Sequence, residues 1–253
     1  MDLQLKGLKA VVTGGTRGIG RAIVEGLAAE GCDVALCARD ASAVEETVTA
    51  LRARGVKSWG AAVDVAATAS LRGFVADAAQ AFGGLDIFVA NVSALTMGMD
   101  EASWRHAFEI DVLGTIAGIE AALPHLEKSG KGSVVVIGTV AASEVVGPTR
   151  PYSSVKAALV PYVKSLAINL ARKKVRVNLV SPGTIYFKGG VWHQREVNAP
   201  ELYKAALARN PTGRMGTPAE VADAVVFLAS PRSSFTSGAN LIVDGAVTQR
   251  VQF

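Results

Sequence analysis

The chain has 253 residues, half of them apolar, and 26 basic against 22 acidic side chains give a net charge of +4. This size and apolar content bury a sizeable core in one large α/β domain or two small ones, and no apolar run approaches the ~20 residues of a membrane-spanning helix. The basic residues are scattered, which argues against a nucleic-acid surface; the one dense run, Arg172-Lys173-Lys174, falls where a helix ends and cations favour the dipole.

In chain order, LKAVVT, DVALCA, WGAAVDV, DIFVAN, GSVVVIGT, VRVNLVSP and NLIVDG read as seven strands. Several are continuously apolar, as expected of parallel strands buried on both faces. Long stretches of helical spacing separate them. The first, RAIVEGLAAEG, opens at about Ile19 and has Gly31 as its stop. A capping box of Ser42 and Glu45 is expected to start the second. Regular βαβ alternation predicts an α/β fold, a single Rossmann-like doubly wound domain with a seven-stranded parallel sheet. No repeat, low-complexity stretch or linker divides residues 1–253, so one domain is expected. Residues 184–216 break the rhythm between strand six and the last helix. They hold two of the four tyrosines, one of the three tryptophans and one of the three histidines, as a substrate-binding insertion at the carboxyl edge would.

The N-terminus lacks the basic head and long apolar stretch of a signal peptide, so a cytoplasmic location is expected. Cys32 and Cys37 have no histidine cluster beside them, and they read as buried structural thiols rather than metal ligands.

The stretch VVTGGTRGIG, residues 11–20, carries four glycines between the first strand and first helix. Gly14, Gly18 and Gly20 permit a tight turn and the close approach of a phosphate to a helix N-terminus, where free N–H groups and the dipole favour an anion. The spacing TGxxxGxG resembles that of the short-chain dehydrogenase/reductase family. Further motifs fall in the family's order: Asp64-Val65 after strand three, Asn91 after strand four, Tyr152-Ser153-Ser154-Val155-Lys156 after strand five, Pro182-Gly183 after strand six, and RMGTPAEVADAVVFLAS…LIVDG at the end. The resemblance covers nearly the whole chain. It implies a dinucleotide site formed by Gly14, Thr16, Arg17, Gly18, Ile19, Gly20, Arg39, Asp64, Val65, Asn91, Tyr152, Lys156, Pro182, Gly183, Thr184 and Ile185.

The same resemblance makes Tyr152 the general acid/base. An unperturbed phenol, with a pKa of ~10, is a poor base near neutrality. Lys156 shares its helix face, so the ammonium can favour the phenolate, and the family also uses this lysine to hold the nicotinamide ribose. Three positions depart from the pattern. Where the family has a substrate-binding serine, thirteen residues before the tyrosine, stands Thr139, which keeps the hydroxyl; Ser143 is the fallback. Where it has an asparagine in F-x-x-N-x-x-G stands Asp111, which when ionised only accepts hydrogen bonds. Asp111 is expected to anchor a relay water to Lys156, to oppose the phenolate and to alter the pH optimum. Where it often has a threonine touching the nicotinamide amide stands Phe187, with Thr184 or backbone groups as substitutes. The sequon Asn91-Val92-Ser93 is a chance match in a cytoplasmic protein.

Ala38 occupies the place of the acid that holds the ribose diol in NAD enzymes, and Arg39 and Arg17 lie close by in sequence to the ribose site. Paired guanidinium donors suit a 2′-phosphate, so NADP(H) is the expected cofactor, with NAD(H) possible. Asp40 either weakens that case or simply caps the next helix. Around the nicotinamide the expected substrate contacts are Ser93, Leu95, Val145, Tyr186, Phe187 and Trp192, joined by Met97 and Val146, a mainly apolar set suited to a hydrophobic or moderately polar ketone or alcohol. His193 and Arg195 either meet an anionic substrate group or are merely solvated. The likeness reaches 3-oxoacyl-carrier-protein reductases and related ketoreductases, and it implies a homotetramer and a small-molecule ketone or alcohol substrate, with neither nucleic acid nor membrane as partner. The expected activity is NADP(H)-dependent ketone–secondary alcohol interconversion. The alternatives are an NAD-linked alcohol dehydrogenase and a catalytically faded dinucleotide-binding sensor or scaffold.

Overall fold

Seven strands hydrogen-bond in the order β3-β2-β1-β4-β5-β6-β7, every neighbouring pair parallel. The computed structural model describes residues 2–145 and 150–251. The strands are β1 Lys9–Thr13, β2 Asp33–Ala38, β3 Ser58–Ala62, β4 Ile87–Ala90, β5 Ser133–Ile137, β6 Arg176–Pro182 and β7 Asn240–Val243. The helices are α1 Gly18–Ala29, α2 Ala41–Arg52, α3 Thr68–Phe82, α4 Glu101–Phe108, α5 Gly114–Ser129, α6 Pro151–Ala157, α7 Leu159–Leu170, α8 Val191–Asn198, α9 Pro200–Ala208 and α10 Pro218–Ala229.

Side chains alternate across a sheet, so a strand covered on both faces needs apolar residues at every position. In β5, Val134 and Val136 enter one core with α3, α5 and α7, while Val135 and Ile137 enter the other with α1, α2 and α10. The continuous apolar runs therefore have the expected cause. Cys32 and Cys37 are buried free thiols, and burial pushes both up to about 12.

Several local expectations need correcting. Helix α1 starts at Gly18 rather than Ile19. The strand expected over WGAAVDV stops at Ala62, before Val63-Asp64-Val65. Helix α2 is capped by Asp40, whose carboxylate accepts from Ser42 and Ala43 N–H, rather than by a Ser42–Glu45 box. Gly31, at φ +81°, does end the first helical unit, its N–H donating to Ala28 O. Between α4 and α5 the helix widens into a π-helical turn, Glu109–Leu113. The 184–216 insertion folds into α8 and α9.

Parallel pairing puts every strand's carboxyl end at one edge. The glycine loop, Arg39, Asp64-Val65, the 91–100 segment, Thr139 and Thr184–Phe187 all follow those ends. This edge, where ligands bind in open α/β sheets, is the candidate site.

Candidate active site

The glycine loop leaves β1 at Thr13 and turns at Gly14, φ +69°, and Gly18, φ +52°. Both values lie in the left-handed region that L side chains rarely adopt. A Cβ on Gly20 would stand 2.0 Å from Gly14 O, so only glycine lets the helix close onto the turn. Asn91, at the end of β4, ties this turn down. Its side-chain amide donates to Thr13 O at 3.0 Å and Gly14 O at 3.1 Å, and its backbone N–H donates to Thr13 Oγ1 at 3.0 Å. The expected cofactor residue Asn91 is thus a clasp on the loop.

Helix α1 has no side-chain cap; Arg17 holds the N-cap position, its carbonyl accepting from Arg21 N–H while its side chain bonds nothing in the first turn. Asp40, Asp100 and Thr217 cap α2, α4 and α10, while α3 and α5 to α9 lack a side-chain cap as α1 does. First-turn N–H donors without a cap, at a turn of small residues, fit a phosphate group. The Phe187 ring packs on the same turn: a Cβ on Gly18 would meet its Cζ at 2.5 Å, and one on Gly190 its Cε1 at 2.8 Å. Phe187, expected as a substrate contact, thus packs on the glycine turn. Arg17 and Arg39 are exposed, and neither forms an ion pair among the described residues. Asp64 is exposed and folds back to accept from Ala66 N–H, while Val65 is buried with its carbonyl against Gly114.

At β6, Pro182 is buried and Gly183 N–H donates to Val243 O. Ile185 is buried and bridges Gly216. The Thr184 hydroxyl donates to Asn210 Oδ1 at 2.9 Å, and Asn210 in turn donates to Ala206 O. The Thr184 proton is thereby committed, while the hydroxyl oxygen can still accept a hydrogen bond. Asn210 is a buried positioning residue that sequence reasoning missed; the only signal was an asparagine just ahead of Pro211.

The centre of the site is a buried ion pair. Lys156, 2% exposed, places Nζ 3.1 Å from Oδ1 of Asp111, which is 0% exposed. The angle does not make this contact a hydrogen bond, so the pair is held by charge. Lys156 Nζ donates instead to Ile137 O at 3.0 Å, with Val92 O at 3.5 Å, and Asp111 Oδ2 accepts from Ala94 N–H at 3.2 Å. Asp111 therefore meets Lys156 directly. The π-helical turn aims Asp111 inward, and Gly114 after it lets this helix approach Val65 O.

Tyr152 lies one turn before Lys156 on α6 and is half-buried. Its phenol is pushed up to about 12, mainly by burial; the Thr139 hydroxyl draws it back, and the Asp111 charge pushes it further up. Thr139 itself is buried and accepts from Ala141 N–H at 3.3 Å. Ser143 caps back onto Val140 O.

The expected substrate residues divide. The Ser93 hydroxyl accepts from Leu95 N–H. Leu95 and Val145 are 42% and 92% exposed; Val146 lies outside the described residues. The Tyr186 phenol donates to Glu196, which holds it up at about 12, and packs edge-on to His193 and Tyr203. Arg195 stacks 4.5 Å over Trp192, and Arg150 donates to Met97 Sδ. His193 accepts from Gly189 N–H. His193 and Arg195 thus have structural partners within the insertion.

A parallel sheet with a glycine turn at its switch edge, and a tyrosine–lysine pair beside it, defines a nicotinamide-dinucleotide-dependent oxidoreductase. The comparisons agree. The family model described as "Enoyl-(Acyl carrier protein) reductase" matches residues 14–248. The chain is 37% identical to isoepoxydon dehydrogenase patN of Penicillium expansum, over 98% of each chain. L-sorbose reductase of Gluconobacter frateurii, solved with NADPH and L-sorbose, superposes with a TM-score of 0.90 at 28% identity, covering 99% of this chain and 100% of that one. A 7α-hydroxysteroid dehydrogenase solved with NADH also gives 0.90, at 30% identity, covering 99% and 98%. The chain belongs to the short-chain dehydrogenase/reductase family.

Proposed function

We propose that the protein is an NADP(H)-dependent reductase of a small ketone, and the reverse dehydrogenase of the secondary alcohol, with Tyr152 as the catalytic acid/base. The observation that carries this reading is Tyr152, Thr139 and the buried Lys156 together at the edge that carries the uncapped glycine turn. When bound, the reduced nicotinamide supplies a hydride. Gly14, Gly18 and Gly20 would hold its phosphates against the α1 N–H groups. Thr139 would hold the carbonyl oxygen by its hydroxyl, and Tyr152 Oη would give that oxygen a proton. In the reverse direction Tyr152 takes the proton from the alcohol.

The preference for NADP(H) rests on Arg17 and Arg39, both exposed and without an ion-pair partner among the described residues, and on Ala38 in place of an acid. The dehydrogenase and reductase names among the relatives support a hydroxyl-to-carbonyl conversion on a small molecule. Exposed Phe108, Leu113, Ile168 and Leu241 supply apolar surface for the homotetramer, and two unpaired thiols suit a reducing cytoplasm.

Nicotinamide absorbance, followed with NADPH and NADH over a panel of ketones, tests the whole reading. Arg39→Asp should raise KM for NADPH on the order of tenfold more than for NADH, one charge-assisted pair being worth ~1.5 kcal/mol or more. Equal effects on both cofactors refute the 2′-phosphate role. Tight dinucleotide binding without turnover of any ketone or alcohol would favour the sensor.

A further inference from the structure

The conversion assigned above needs a tyrosine that changes protonation, and the Asp111–Lys156 pair adds to burial in biasing which state it favours. A lysine beside a tyrosine helps the phenolate only while its charge is uncompensated. Here Lys156 faces a fully buried carboxylate at 3.1 Å, and the pair carries no net charge. The carboxylate is fixed from its other side by Ala94 N–H at 3.2 Å, and the ammonium by Ile137 O at 3.0 Å. Each partner is thus held from a second side.

We propose that Asp111 is a positioning residue that neutralises Lys156 and keeps Tyr152 a protonated phenol, so that the site donates its proton to a carbonyl across a wide pH range and confines alcohol oxidation to alkaline solution. The functional half of this statement rests on the ketone–alcohol reading above. In reduction the carbonyl carbon receives the hydride and its oxygen receives the Tyr152 proton. The carbonyl becomes a hydroxyl, the dinucleotide is oxidised, and the phenolate left behind regains a proton from solvent.

Other charged groups lie on the elements around α6. Helix α4 carries Glu101, Arg105 and His106, all exposed, with Arg105 paired to Glu101. The π-helical turn carries exposed Glu109 besides Asp111, Glu144 follows the turn after Thr139, Arg150 precedes Tyr152, and α7 carries exposed Lys164. The Asp111 charge is the one that registers on the phenol, pushing it up in the same direction as burial, and Thr139 is what draws it down.

The test titrates Tyr152 directly, by phenolate absorbance of the full chain minus its Tyr152→Phe counterpart, without cofactor. The native phenol should remain protonated past its unperturbed ~10; ionisation below that value overturns the proposal without any Asp111 variant. In Asp111→Asn the titration should fall by at least about one unit, a tenfold gain in phenolate at a given pH, and Asp111→Glu should stay near native. An unmoved titration in Asp111→Asn also overturns it, with Asp111→Ser as the neutral substitute if the amide variant misfolds. With turnover as second readout, native reduction should hold its rate into alkaline solution, while the break for Asp111→Asn moves down in both directions. Absence of turnover on every ketone in the native chain would sink the ketone–alcohol reading and still leave the phenol titration to decide the role of Asp111.

Discussion

Replacing one member of the buried pair should be far worse for stability if the lysine is removed than if the carboxylate is. Lys156→Met leaves Asp111, 0% exposed, as a buried anion with one remaining donor, Ala94 N–H. Breaking a buried pair this way costs about 3–5 kcal/mol. In a chain of this size each kcal/mol lowers Tm by roughly 2–4 °C, so a drop on the order of 10 °C is expected. Asp111→Asn leaves a cation that still donates to Ile137 O at 3.0 Å and lies 3.5 Å from Val92 O, so its loss should be nearer ~1–2 kcal/mol. The double variant removes both charges and should recover about 2 kcal/mol or more relative to Lys156→Met alone. Urea denaturation of the four proteins measures this. Equal single losses that simply add in the double variant would refute the picture of mutual compensation.

Two other outcomes follow from the site's surroundings. Phe187→Ala uncovers Gly18 and should tighten dinucleotide binding about fivefold, the ~1 kcal/mol expected for a half-buried ring that no longer has to be displaced; calorimetry showing an unchanged Kd would place the ring elsewhere in solution. Glu220, in the capping box of α10, is held down at about 2 by Arg214 first and then by Thr217. Because its folded value lies below the unfolded one, its contribution is complete above ~4.5 and is lost as the pH falls towards 2. The Tm gap between the native chain and Glu220→Gln should therefore be widest near neutrality and close in acid; a gap independent of pH contradicts the assignment.

The features that sequence carries well are those with a local cause. Gly14 and Gly18 announce themselves because left-handed backbone admits little else, and the strands because burial on both faces leaves an unbroken apolar run. Ser42 with Glu45 misled because the capping-box pattern is also met when Asp40, two residues earlier, takes the N-cap. The π-helical turn at Glu109–Leu113 had no signature of its own: the extra backbone residue per turn is stabilised by where Asp111 and Gly114 have to go, against Lys156 and Val65. The engagement of Thr184 by Asn210 joins residues 26 apart through the fold of α8 and α9, and no spacing rule encodes it. Phe187 was visible as a departure from the family pattern, but its direction, onto Gly18, came only from the path of the insertion.

The Asn91 clasp has a consequence for the order in which the protein is built. The glycine turn lies near the start of the chain, yet the side chain that clasps it comes 77–78 residues later, just past the strand that pairs with the opposite side of β1. During synthesis the turn can bond to β2, through Gly14 N–H to Cys37 O, before β4 brings the clasp on Thr13 O and Gly14 O. A fragment ending before β4 would have the glycine turn and its bond to β2 without the Asn91 clasp.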